Sequence, residues 1–113
     1  MLDELIADED DVALAAVTVA ELLVGAKLAD GKKRAGRQAF VDDIVATLPV
    51  LAYDLDVAAV HADLLVAVRR RGLPRGAHDL IIAATAKASS RTVVTADATA
   101  FEDLPDVSVR SHR

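Results

Sequence analysis

Short apolar runs without polar alternation, set between longer helical stretches, govern what this chain can become. Val12 to Val17 reads Val-Ala-Leu-Ala-Ala-Val, Val50 to Tyr53 is short and strand-like, and Thr92 to Thr95 is β-branched throughout. A strand wet on one side alternates apolar and polar residues, whereas an unbroken run suits a strand covered on both faces. The stretches between have helical spacing. Thr18-Val19-Ala20-Glu21 has capping-box spacing and is expected to open a helix whose apolar positions are Leu22, Leu23, Ala26 and Leu28. Asp30-Gly31 interrupts it. A second helix, from about Lys32 to Thr47, carries Phe40, Val41, Ile44 and Val45 before Leu48 and the stop at Pro49. Asp54 is the expected N-cap of a helix running to Arg71, with Gly72 as its C-terminal cap. After the loop Leu73–Gly76, His78-Asp79 introduces an Ala-rich helix from Leu80 to about Ala88. A helical turn near Phe101 and a last strand, Val107 to Val109, complete the chain. Strands alternating with helices predict an α/β fold in three layers, a mostly parallel central sheet flanked by helices.

With 113 residues the chain is expected to form a single domain, 1–113, large enough to bury a core. A hydrophobic fraction of 53% with 27% charged residues excludes a disordered chain. The absence of Cys excludes disulfide scaffolds, Cys-based zinc sites and cysteine nucleophiles. No apolar run is long enough to cross a membrane, and the start Met1-Leu2-Asp3-Glu4 is acidic where a secretory signal is basic, so a cytoplasmic location is expected. Thirteen basic against eighteen acidic residues argue against strong non-specific binding of nucleic acid. The aromatics are Phe40, Tyr53 and Phe101, too few for base stacking. No Gly-rich phosphate loop and no Gly-x-Ser-x-Gly elbow occurs. A receiver domain would need an acidic pair after the first strand and a late Lys, but the late strand ends Thr95-Ala96-Asp97.

Ligands of parallel α/β sheets sit beyond the carboxyl ends of the strands. Three acids are expected there. Glu21 lies in what should be the first turn after the first run, Asp79 at the start of the Ala-rich helix, and Asp97 two residues past Thr95. Gathered carboxylates repel one another unless a cation joins them, and their hard oxygens suit Mg2+ or Mn2+. Such an ion lowers the pKa of bound water and clamps phosphate oxygens. Each acid also has a plainer use: Glu21 in a capping box, Asp79 as an N-cap, Asp97 in a turn.

These residues resemble a known family. Thr18-Val19-Ala20-Glu21-Leu22 looks like the second acidic motif of PIN-domain ribonucleases. Asp79-Leu80-Ile81-Ile82-Ala83-Ala84-Thr85-Ala86 resembles the third, and Val93-Val94-Thr95-Ala96-Asp97, with Phe101 after it, resembles the fourth. Order and separations match from about Leu2 to Val109, and the VapC-type toxins of bacterial toxin–antitoxin pairs are the nearest subgroup. The resemblance implies a Mg2+-dependent endoribonuclease with Glu21, Asp79 and Asp97 as metal-site carboxylates. It implies tRNA or rRNA as substrate, a cognate antitoxin as partner and a homodimer. The family opens with a central strand ending in an Asp-Thr-Ser-like triplet, whose Asp is a principal metal ligand. Here Leu2 to Ala7 reads instead as the following helix, Asp3 has no strand before it, and Thr99 stands where many relatives carry a further acid. The resemblance therefore implies an N-terminally incomplete domain, by truncation or a misassigned start. In a catalytically impaired form the chain would act only by binding the antitoxin. Loss of a central strand would leave unpaired edges inside the sheet.

The remaining charges have weaker meanings. Arg69-Arg70-Arg71 with Arg75 offer contacts to an RNA backbone or an acidic antitoxin segment, or simply a solvated helix end. Lys32-Lys33-Arg34 with Arg37, and the acidic run Asp8 to Asp11, read as solvated surface. His78 abuts Asp79 and reads first as a surface helix-start residue, with substrate contact or proton transfer as the other use. His61 and His112 have no ligand partner at helical spacing. The apolar positions of Leu22–Leu28 and Phe40–Leu48 offer a face to a partner helix.

Overall fold

In the computed structural model, which describes residues 4–8, 11–72 and 75–111, the chain runs β1 (Glu4–Ala7), β2 (Val12–Ala15), α1 (Ala16–Leu28), α2 (Gly31–Thr47), β3 (Val50–Leu51), α3 (Leu55–Arg71), α4 (Ala77–Ala88), β4 (Thr92–Thr95), a 3-10 turn (Ala98–Phe101) and β5 (Val109–Ser111). Met1 to Asp3, Leu73, Pro74 and His112 lie outside the described residues. The strands form one sheet in the order β3-β2-β1-β4-β5. β2 pairs parallel with β3, and β4 parallel with β5. β1 is antiparallel to both its neighbours, so the four other strands share one direction.

The expected helix over Leu2–Ala7 is corrected here. Glu4-Leu5-Ile6-Ala7 is a strand, and it occupies the centre of the sheet. A short apolar run does not declare its own type, and its surroundings decide it. Between β2 and β4 lie two edges of backbone donors and acceptors that only another strand can satisfy. Ile6 and Ala7 are buried at 1% and 4% exposure. The direction follows from the connection. Four residues, Asp8 to Asp11, join Ala7 to Val12, enough for a hairpin and too few for a parallel crossover. The turn is closed by the Asp8 amide donating to the Asp11 carbonyl at 3.1 Å and the Asp11 amide donating to Asp8 Oδ1 at 2.9 Å. The acidic run is accordingly more than solvated surface. Arg91, only 18% exposed in its side chain, reaches Asp8 Oδ2 at 3.8 Å and Asp11 Oδ1 at 3.6 Å, pinning the hairpin to the start of β4.

Elsewhere the local signals decide element ends. Asp54 Oδ1 accepts from the Val57 amide at 3.0 Å, and Gly72 closes α3 with φ +67, where a Cβ would be strained. β4 has the expected bounds. The first apolar run divides, its last two residues turning into α1. The final strand begins at Val109, where register with Val93 sets it. α4 lies against β1, β2 and β4, and α3 and α1 pack on it, while α2 packs on α1. Leu80, Ile82, Ala83, Ala84 and Ala86 of α4 are buried with Ile6, Val93, Leu64 and Phe101, the small side chains allowing close approach to the sheet.

Candidate active site

Because β2 and β4 point the same way, their carboxyl ends share an edge, and α1 and the 3-10 turn start from it. The antiparallel β1 delivers its opposite end there, with Glu4 in register with Thr95. α1, which carries Glu21, and the turn after Asp97 thus start from the edge where the sequence led these two acids to be expected together.

The expected capping box does not form. α1 begins at Ala16 with Ala15 as N-cap and no side-chain cap bond, because the chain leaves β2 without an intervening loop. Thr18 is buried inside the first turn, and Glu21 falls in the second. Its carboxylate, freed from capping, goes elsewhere: Glu21 Oε2 lies 3.0 Å from His78 Nδ1, on the first turn of α4. This contact joins α1 to the segment that carries Asp79. Beyond the adjacency of His78 and Asp79, nothing in the order of residues points to it.

Asp79 is half-buried and folds back over the helix start. A Cβ built on Gly76 would stand 3.0 Å from Asp79 Oδ2, so glycine leaves the room this carboxylate uses. Among the described residues Asp79 has no ion pair or hydrogen-bonding side chain. Asp97 is exposed. Its amide donates to the buried Thr95 Oγ1 at 3.0 Å, and Thr99 Oγ1 donates to Asp97 Oδ1 at 2.6 Å.

No Lys or Arg side chain pairs with Glu21, Asp79 or Asp97 among the described residues. The donor set is all carboxylate oxygen, the chemistry a hard cation takes. The arrangement does not match that chemistry. Among the described residues no three acidic or histidine side chains stand close enough together to hold a metal ion. Glu21 is drawn to His78, Asp79 to Gly76 and Asp97 to Thr99.

Both basic clusters are mostly exposed, as expected of a solvated surface, and four of their side chains also serve the fold. Arg34 donates to the carbonyls of Ala29 at 2.8 Å and Lys27 at 3.0 Å, and Arg37 to Gly25 at 3.1 Å, so α2 caps the end of α1. Arg71 donates to the Asp103 carbonyl and Arg75 to that of Glu102 at 3.0 Å, bracing the segment after the 3-10 turn. Arg69 and Arg70 remain exposed. His61 Nδ1 lies 2.8 Å from the Tyr53 hydroxyl, away from the acidic edge.

The sequence matches the PIN domain over residues 2–107. It is 39% identical over 104 residues to Toxin FitB of Neisseria gonorrhoeae, covering 88% of this chain and 73% of that one. It is 29% identical over 96 residues to the tRNA(fMet)-specific endonuclease VapC of Salmonella typhimurium, covering 85% of this chain and 71% of that protein. Among solved structures, a member of the VapBC family of toxin–antitoxin systems, VapBC-5 from Mycobacterium tuberculosis, superposes with a TM-score of 0.75 at 32% identity, covering 89% of this chain and 80% of that one.

Proposed function

This chain belongs to the PIN-domain family, among its VapC-type toxins, and from that premise we propose that it is an endoribonuclease of a toxin–antitoxin pair, hydrolysing RNA phosphodiester bonds at the edge that carries Glu21, Asp79 and Asp97. The observation that supports this most is that α1, which carries Glu21, touches the start of α4, which carries Asp79, through His78, with no Lys or Arg pairing with Glu21, Asp79 or Asp97 among the described residues. The name of the Salmonella relative, a tRNA(fMet)-specific endonuclease, points the same way, and the substrate class in this reading is tRNA or rRNA.

The reading includes a divalent cation, Mg2+ or Mn2+, because carboxylate oxygens completed by water are the donors such ions take. When bound, an ion of this kind supplies positive charge against phosphate oxygens and an activated water. Among the described residues no three such groups stand close enough to hold one, so the chain's own contribution is to present three carboxyl groups, two of them exposed, from the second turn of α1, the first turn of α4 and the segment after β4. The partner in this reading is a cognate antitoxin. Exposed Val24 and Leu28 on α1 and Phe40 and Val45 on α2 give a partner helix apolar surface to cover. A homodimer and a cytoplasmic location belong to the same reading, and no helix among the described residues is long and apolar enough to cross a membrane.

The alternative is an antitoxin-binding module that does not cut, a reading that the ribonuclease and endonuclease names of relatives do not favour. One experiment separates them. The purified chain is incubated with a mixed tRNA and rRNA pool with Mn2+, with EDTA, and as Asp79→Asn with Mn2+. Cuts that need Mn2+ and vanish in the variant support the nuclease. An intact pool with a folded wild-type chain that still binds its antitoxin supports the second reading.

A further inference from the structure

We infer that Arg69 and Arg70, in the last turn of α3, anchor the phosphate backbone of RNA, and that they do so without a metal ion. The inference rests on the nuclease reading above and names the side chains that hold its substrate.

Of the four arginines in this part of the chain, two are committed to the fold. Arg71 donates to the Asp103 carbonyl, and Arg75 donates to that of Glu102 at 3.0 Å and stands 3.9 Å from the Asp103 carboxylate. Arg69 and Arg70 are exposed, and neither forms an ion pair among the described residues. No Asp or Glu lies three or four residues from either, the spacing at which a helix pairs its charges. Their place is set by their neighbours. α3 packs on α4, and four residues lead from Gly72 to the start of α4 at Ala77, so the last turn of α3 stands beside the first turn of α4, which carries Asp79. Through Arg71 and Arg75 the same end of α3 is tied to Glu102 and Asp103, one 3-10 turn beyond Asp97. A chain of net charge −5 repels a polyanion, so local cations must hold it in place. Guanidinium groups do this with forked N–H pairs that fit phosphate oxygens. An acidic protein segment is the competing occupant, and the position beside Asp79 and Asp97, where the substrate of the nuclease lies, favours RNA. Cations in a last helical turn also complement the helix dipole, a role that moves stability and leaves RNA affinity alone.

The test uses the full chain in EDTA and follows the anisotropy of a labelled single-stranded RNA and, separately, of labelled poly-glutamate, over a range of salt. Wild type is compared with Arg69→Gln, Arg70→Gln, both together, both as Lys, and Lys32→Gln with Lys33→Gln, an exposed pair at the start of α2. Thermal midpoints are taken for each. The double Gln variant is expected to bind RNA about tenfold more weakly at low salt and to flatten the slope of log affinity against log salt by about 1.4, each single variant by about 0.7. The Lys pair keeps the slope, with affinity within about threefold of wild type. The α2 pair stays within about twofold. Wild-type RNA affinity and slope in the double Gln variant, an equal loss in the α2 variant, or a loss confined to poly-glutamate overturns the anchor, the last assigning the pair to an acidic protein segment. A wild-type chain that does not bind RNA overturns it too. The nuclease is judged separately, by the cleavage experiment above, so Mn2+-dependent cuts with an unaltered Gln variant would leave it standing while the anchor falls.

Discussion

Opposite edges of the sheet each carry acids, and they are treated differently. At the edge where β4 begins, Asp8 and Asp11 face Arg91, whose guanidinium bridges both and is largely buried. At the edge where β4 ends, Glu21, Asp79 and Asp97 have a histidine ring, the space over a glycine and a threonine hydroxyl for company. The first edge is electrically closed by the fold itself. The second has no Lys or Arg paired with its acids among the described residues. Acids matched by a fixed cation are structural, and acids left with uncharged or weakly held partners remain available to a cation or substrate from solution.

Changes that remove one edge's role without touching the other's break or sharpen this contrast. The largest effect is expected from Asp79→Asn: loss of RNA cleavage by about 100-fold or more, with the thermal midpoint nearly unchanged, measured by gel assay and calorimetry. Retained cleavage would make the two edges equivalent. Next comes the strand that separates them. Ile6→Ala empties a site buried to 1% exposure in central β1, and is expected to cost about 2–4 kcal/mol in urea unfolding. A negligible cost would mean that β1 does not fill the centre of the sheet. Arg91→Ala removes the guanidinium that faces Asp8 and Asp11 at the closed edge. It should cost about 1–2 kcal/mol, discounted for the exposure of both acids, and leave the cleavage rate per folded molecule intact. Smallest is Asp54→Ala, remote from both edges, which removes the cap of α3 for about 1 kcal/mol by the same unfolding measurement.

The contrast between edges also marks what a linear reading reaches. The bounds of α3 were legible because Asp54 and Gly72 act on their own neighbours. β4 was legible because Thr-Val-Val-Thr is β-branched throughout and ends at a turn acid. β1 was not, since Glu4-Leu5-Ile6-Ala7, with three apolar residues, suits a helix or a strand equally, and the open edges of β2 and β4 decide between them. The three site acids were readable as positions, from motif order and the strand-end rule. Their partners were not. The His78 contact with Glu21 depends on how α1 and α4 pack, and the use of Arg34 and Arg71 depends on carbonyls that only the fold brings near. Thr18 illustrates the converse: a correct local spacing, S/T-x-x-E, overruled because β2 runs straight into α1.

The most direct measurement of the difference between the edges is a titration of the 15N-labelled chain with Mn2+, following which amide signals the paramagnetic ion broadens. The account predicts broadening at the amides around Glu21, Asp79 and Asp97, with those of Asp8, Asp11 and Arg91 spared. Broadening at the Arg91 edge to the same degree, or none at either edge while the chain still cuts RNA, would contradict it.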